Sequence, residues 1–203
     1  MTAEELIIRY AAGERNFAGI TLSTYDIEKG DFRGISLQGI NLRGADLSEA
    51  PLHGVDLTDA DLTGVILESA SLEGAILRKA KLYSANLFCC CLVEADLTDA
   101  IMSRMNATCA NFRGARLPSY GFERAILIEA DFRNVSIPRY LICRGNNLIW
   151  DTTMPDGTIE KFPSLLNTGV NDASKEEERG LCLIPSAYIL SLISGYFLPS
   201  IFS

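Results

Sequence analysis

The sequence predicts an all-β solenoid, a coil that bends once in every five residues and stacks on itself along an axis. Three observations predict it. Every fifth residue from Phe17 to Ile137 is apolar, with leucine at every step from Leu37 to Leu97, and Ala107 is the only small member. Two residues before each lies a second, smaller column that includes Ala45, Ala50, Val55, Ala60, Val65, Ala70, Cys90 and Met105. The residue between the columns is often Asp or Asn, as at Asn41, Asp46, Asp56, Asp61, Asn86, Asp96, Asn111 and Asp131.

Period five excludes the ordinary elements. An α-helix turns about 100° per residue, so every fifth side chain precesses around the axis and no apolar stripe forms. A flat strand alternates faces, so every fifth side chain would switch sides. Both columns point inward only if the chain bends once per repeat. Successive coils then stack at roughly the 4.8 Å spacing of paired strands. The large column fills the interior, and alanine in the second lets the walls approach. Asp or Asn between them favours the bend, because its side chain bonds nearby backbone N–H groups.

The elements follow in order. Residues 1–15 predict a short helical cap: Thr2 and Glu5 fit a capping box, Leu6, Ile7 and Tyr10 have helical spacing, and Gly13 is a stop. A cap is needed because a solenoid otherwise exposes its apolar coil ends. Residues 16–150 form the solenoid. Its phase holds from Phe17 to Ile137 with no interrupting loop, the repeat fades after Ile142, and Trp150 is expected to cover the last coil. Residues 151–175 read as a closing turn, Met154-Pro155-Asp156-Gly157-Thr158, and a linker. Residues 176–203 are a tail. After the charged run Lys175 to Arg179, Leu181 to Ser203 carries no charge and is long enough to span a bilayer. Pro185 and Pro199 make it a poor spanning helix. Membrane association through 181–203, a partly helical extension that packs or dimerises, and a disordered tail stay open as alternatives.

The A-D/N-L-x-x pattern, as in Ala45-Asp46-Leu47-Ser48-Glu49 and Ala95-Asp96-Leu97-Thr98-Asp99, resembles the pentapeptide-repeat family from Phe17 to about Ile142. The resemblance implies a right-handed, quadrilateral β-helix with four repeats and about 20 residues per coil, and about six coils in all. It also implies activity through protein binding rather than catalysis. Some relatives inhibit topoisomerases by imitating DNA. Tyr10 to Phe17 resembles the start of small cyanobacterial members.

The composition narrows function. A net charge of -8, from 26 acids against 18 bases, disfavours direct nucleic-acid binding, which relies on Lys and Arg neutralising phosphates. No secretory signal precedes the cap, and the six cysteines match neither a disulfide framework nor a zinc site, so a cytoplasmic location is expected. No cofactor, metal or catalytic residue is expected. His53 is the single histidine, without a pre-placed Ser or Cys nucleophile or metal-ligand spacing. The glycines, such as Gly34, Gly39, Gly44 and Gly54, fall at turns.

Two surfaces stand out. Gly44 to Leu77 holds Asp46, Glu49, Asp56, Asp59, Asp61, Glu68 and Glu73 with no Lys or Arg, an acidic patch of the kind a DNA mimic needs. Tyr83, Phe88, Cys89, Cys91 and Val93 stand at outward positions, an apolar strip suited to a protein partner or a homodimer. Residues 20 apart should stack, which brings Cys89 beside Cys109 within disulfide reach. Met105 and Ala107 invert the usual size order, so Met105 should refill the volume that Ala107 vacates. The leading reading is a non-enzymatic, regulatory interaction module acting through its side faces. A topoisomerase-inhibiting DNA mimic and a membrane-tethered scaffold are the alternatives.

Overall fold

The computed structural model describes residues 1–22 and 32–161. The expectations for the tail at 176–203, for most of the linker and for Ile27 lie outside the described residues.

The chain winds as a stacked coil. The residue between the two apolar columns pairs in parallel with its counterpart on the next coil, as in Ser36 with Asp56, Asp61 with Lys81, Asn86 with Asn106 and Asn111 with Asp131. Two backbone bonds close each rung: Leu47 N–H donates to the Ile66 carbonyl at 2.8 Å, and Ile66 N–H to the Ala45 carbonyl at 2.9 Å. Each side of the coil is one pairing residue wide. This is why the fold carries almost no extended strands although its backbone is paired along its length. The four sides are named here by one pairing residue each: Lys81, Asn86, Cys91 and Asp96.

Bends join the sides. Ala45 N–H bonds the Leu42 carbonyl at 3.0 Å across one of them. The second bend residue is left-handed, with φ 58 at Asp59, 57 at Lys79 and 56 at Glu94, and Gly fills many equivalent sites. The intervening Asp or Asn holds the bend as its chemistry predicts. Thr58 N–H donates to Asp56 Oδ1 at 3.0 Å, Thr98 N–H to Asp96 Oδ1 at 3.1 Å, and Phe88 N–H to Asn86 Oδ1 at 3.2 Å. Among the described residues the large column is buried from Phe17 to Ile137, and the small column from Ile40 to Ala115 and again at Ala125, Ala130 and Val135, whereas Tyr120 between them is exposed. Met105 and Ala107 are each fully enclosed, and toward the C-terminal end phenylalanine replaces leucine, with Phe112 stacked on Phe132 at 4.9 Å.

At the N-terminal end, α1 spans Ala3–Ala11, with Thr2 Oγ1 accepting from Glu5 N–H at 3.0 Å. It buries Ala3 and Leu6. The Tyr10 hydroxyl donates to the Gln38 carbonyl at 2.9 Å, and the Met1 amino group to the Thr21 carbonyl at 3.0 Å. The stacking rule of 20 residues fails here. Asn16 pairs with Asn41 and Thr21 with Asp46, one repeat further on.

The rule fails again at the other end, and the expectation of an uninterrupted coil that fades after Ile142 is corrected. A five-residue helix, α2 (Arg139–Cys143), leaves the coil. Pairing then resumes with a two-residue offset, Ile126 with Leu148 and Asp131 with Thr153. Ile149 and Met154 take over the large column, and both are fully buried. The small column becomes polar at Asn147 and Thr152. Asn147 satisfies its surroundings: Oδ1 accepts from Ala125 N–H at 2.9 Å, and Nδ2 donates to the Ile142 carbonyl at 2.9 Å and the Arg144 carbonyl at 2.7 Å. Two glycines seat α2. A Cβ on Gly121 would meet the Leu141 carbonyl oxygen at 2.3 Å, and one on Gly145 the Phe122 carbonyl oxygen at 2.3 Å. Strands β1 (Thr152–Thr153) and β2 (Ile159–Glu160) pair antiparallel around the turn expected at Met154 to Thr158, where Asp156 Oδ1 accepts from Thr158 N–H at 3.0 Å. Trp150 does not cover the last coil. The two-residue offset moves it to an outward bend position, where it is 38% exposed.

Candidate interaction face

The interior is filled, so chemistry is confined to the outer positions: the pairing residue and the two bend residues of each repeat. A bend side chain reaches the pairing residue of the next coil 18 positions on. Arg78 bonds Asp96 at 2.7 Å, Arg43 reaches Asp61 at 3.4 Å, and Gln38 donates to Asp56 at 2.5 Å. The same offset joins His53 Nε2 to Ser71 Oγ at 2.7 Å. This corrects the expectation that His53 has no hydroxyl neighbour. The pair is one instance of a recurring tie between coils. Among the described residues no further group is bonded to His53 that could orient it for catalysis.

The seven acids of Gly44 to Leu77 do not form one patch. Asp46, Glu49 and Glu68 lie on the Asn86 side, Glu73 on the Cys91 side, Asp56 and Asp59 on the Asp96 side, and Asp61 on the Lys81 side. Several are engaged internally. Partial burial pushes Asp61 up, but bonds from Thr63 and the Arg43 charge outweigh it and hold the carboxyl below its ordinary range. The same balance holds for Asp56, with Thr58 and Gln38 as donors.

The apolar strip is likewise divided around one coil. Tyr83 sits on the Lys81 side with the Arg104 guanidinium 5.8 Å from its ring centre, Phe88 and Cys89 on the Asn86 side, and Cys91 and Val93 on the Cys91 side. Phe88, Cys91 and Val93 are half-buried, and Tyr83 and Cys89 are exposed.

The Asn86 side gathers parts of both sets. Its repeats at 45–49, 65–69, 85–89, 105–109, 125–129 and 147–151 carry Asp46, Glu49, Glu68, Glu129 and Asp151 and no Lys or Arg, whereas each other side carries bases. Its outward apolar residues are Ile66, Phe88, Ile126, Ile128 and Trp150, with Ile66 37% exposed. Arg104 and Arg124 mark its border with the Lys81 side. Cys89, Cys109 and Glu129 line its far corner, where the Cys109 thiol donates to Glu129 Oε2 at 3.3 Å. Sequence reasoning missed Ile66, Ile126, Ile128 and Trp150. The first three stand at outward positions of the five-residue frame and were legible there by stacking repeats in steps of 20. Trp150 was not, because α2 shifts the frame.

A filled solenoid whose variable groups all face outward is a repeat scaffold that presents surfaces. Residues 31–64, 56–88, 66–104 and 92–119 match the family model for pentapeptide repeats, which finds eight copies in the chain. Residues 31–119 are thus built of the repeats of the pentapeptide-repeat family, whose members fold as right-handed β-helices. Among solved structures it is similar to HetL, a pentapeptide repeat protein involved in heterocyst differentiation regulation from the cyanobacterium Nostoc sp. strain PCC 7120, at 25% identity, with 79% of this chain and 100% of that chain covered and a TM-score of 0.42. It is similar to a pentapeptide repeat protein of the Arabidopsis thaliana thylakoid lumen at 25% identity, covering 63% of this chain and 86% of that one, with a TM-score of 0.41. QnrB1, a plasmid-mediated fluoroquinolone resistance protein, is 16% identical over 62% of this chain and 90% of its own, with a TM-score of 0.32. No curated protein matches the chain. Among the described residues no helix is long and apolar enough to cross a membrane.

Proposed function

We propose that this chain is a non-enzymatic interaction module that binds a protein partner through its Asn86 side. One observation carries the reading. This side alone combines five outward apolar side chains, Ile66, Phe88, Ile126, Ile128 and Trp150, with carboxylates and no base of its own. Half-buried aromatic and aliphatic groups anchor interfaces, and a surrounding acidic field selects a partner that presents Lys or Arg beside apolar groups. The rungs beneath hold the side rigid, so little order is lost on binding.

The test is capture of partners from the source cells on immobilised chain. Changing Phe88 and Ile128 to Ser should remove a specific partner while leaving the β-type circular dichroism intact. Changing Arg78 and Arg116 on the Asp96 side to Ser should leave capture unchanged. Equal loss from both pairs of changes would refute the assignment of the face. The reading of a DNA mimic gains less support, because the acids divide among four sides and several are bonded internally. A DNA supercoiling assay with a type II topoisomerase should show no dose-dependent inhibition. A tethered scaffold depends on residues 181–203, outside the described residues.

A further inference from the structure

The far corner of the Asn86 side stacks two thiols. Cys89 and Cys109 occupy the same bend position on adjacent coils, with φ 54 and 58, so their side chains leave the backbone in the same direction. The coils are bonded at that corner, Cys89 N–H donating to the Thr108 carbonyl at 2.9 Å. Paired strands lie about 4.8 Å apart, inside the Cα separation a disulfide bridges. The Cys89 side chain reaches the Cys109 thiol, which also donates to Glu129 Oε2 at 3.3 Å. Neither cysteine is in a disulfide, and Cys89 is exposed and Cys109 half-buried. Their neighbours compete poorly: Cys90 and Cys143 are buried, and Cys91 lies on the next side.

We infer that Cys89 and Cys109 are a modification site, a dithiol that a small disulfide such as oxidised glutathione converts to a bond between two coils. The corner also assigns the order of events. Partial burial, the Glu129 carboxylate and the Cys89 side chain push the Cys109 thiol up to about 12, so it stays protonated near neutrality. The exposed Cys89 is therefore the entry point, since the thiolate is the attacking species. The Cys89 thiolate attacks one sulfur of oxidised glutathione and releases one glutathione thiolate. Cys109 then attacks the Cys89 sulfur of the mixed disulfide, giving its proton to Glu129 and expelling the second glutathione. The dithiol loses two electrons and two protons, and two glutathione thiols gain them.

The experiment treats the full chain with oxidised glutathione at neutral pH and maps disulfides by peptide mass. The expected product is a Cys89–Cys109 link, reversed by reductant, with an unchanged circular dichroism spectrum and a raised thermal midpoint, because the link closes the loop from Cys89 to Cys109. The variant Cys109→Ser should stop at glutathione on Cys89. The variant Cys89→Ser should leave Cys109 unmodified over the same time. Wild type that stops at the mixed disulfide, or pairs Cys89 with Cys91, overturns the inference. A link that forms only in denaturant overturns it too.

Discussion

Ala107 shows how one residue is answered by another. It leaves the large column short of volume within a single coil, and the longer side chain of Met105, fully enclosed two positions earlier, is expected to refill that layer. Interiors pack near crystal density, so the vacancy must be filled or the layer collapses. Met105→Ala should cost on the order of 2–5 kcal/mol, measured as a lowered urea midpoint. Adding Ala107→Leu to that variant should recover most of the loss. An unchanged midpoint in the single variant would show that the two sites do not share volume. Glycine acts differently. Gly74 is left-handed at φ +63 and a Cβ there would meet open space, so Gly74→Ala carries only the conformational cost of about 1–2 kcal/mol. Gly121 is left-handed at φ +74 and is also pressed against the Leu141 carbonyl. Gly121→Ala should therefore destabilise more than Gly74→Ala, and Trp150 fluorescence should report the last coil loosening before the β signal is lost. Equal effects from the two variants would mean that α2 is not seated by Gly121.

At the scale of the element, what the sequence disclosed depended on whether a rule repeats. The rung and the bend recur in the same frame, so Leu57 and Ala60 could be placed inside and Asp56 on its bend. The two departures from the 20-residue offset do not recur. The longer step between Asn16 and Asn41 leaves the five-residue phase intact, so no break shows in the columns. The step of 22 residues between Ile126 and Leu148 arises from α2, a single turn of helix whose seat is made by close backbone approaches at Gly121 and Gly145. Such approaches are properties of two segments together. They were hidden in either one, and with them the outward placement of Trp150. The candidate face was half legible for the same reason. Phe88, Cys89, Asp46, Glu49 and Glu68 could be named, but their gathering on one side required the offset between coils. Tyr83, Val93 and the remaining acids were placed with them by proximity in sequence, and the bends carry them to other sides.

For the whole molecule, stability is close to a sum over adjacent coils, so a group repeated along the solenoid has a repeated effect. The bend carboxylates are such a group. Asp56, Asp61, Asp96 and Asp131 are each pushed up by partial burial and pulled further down by hydroxyl, amide or guanidinium donors, so all four lie below the ordinary Asp value. The unfolded chain, with Asp near 3.9, binds more protons than the folded chain between the two sets of values. Their contribution is therefore complete above the unfolded value and is lost as pH falls through the lower folded ones. The thermal midpoint should be level with respect to these groups above about pH 5 and fall progressively below about pH 4. Asp96→Asn is the informative variant, because Asp96 accepts from both Thr98 and Arg78 and lies 4.0 Å from Arg116. It should lower the midpoint at pH 7 and make the acid limb shallower, bringing variant and wild type together at low pH. A constant gap between the two curves from neutral pH to strong acid would mean that the charge of Asp96 contributes nothing and that only its shape is used.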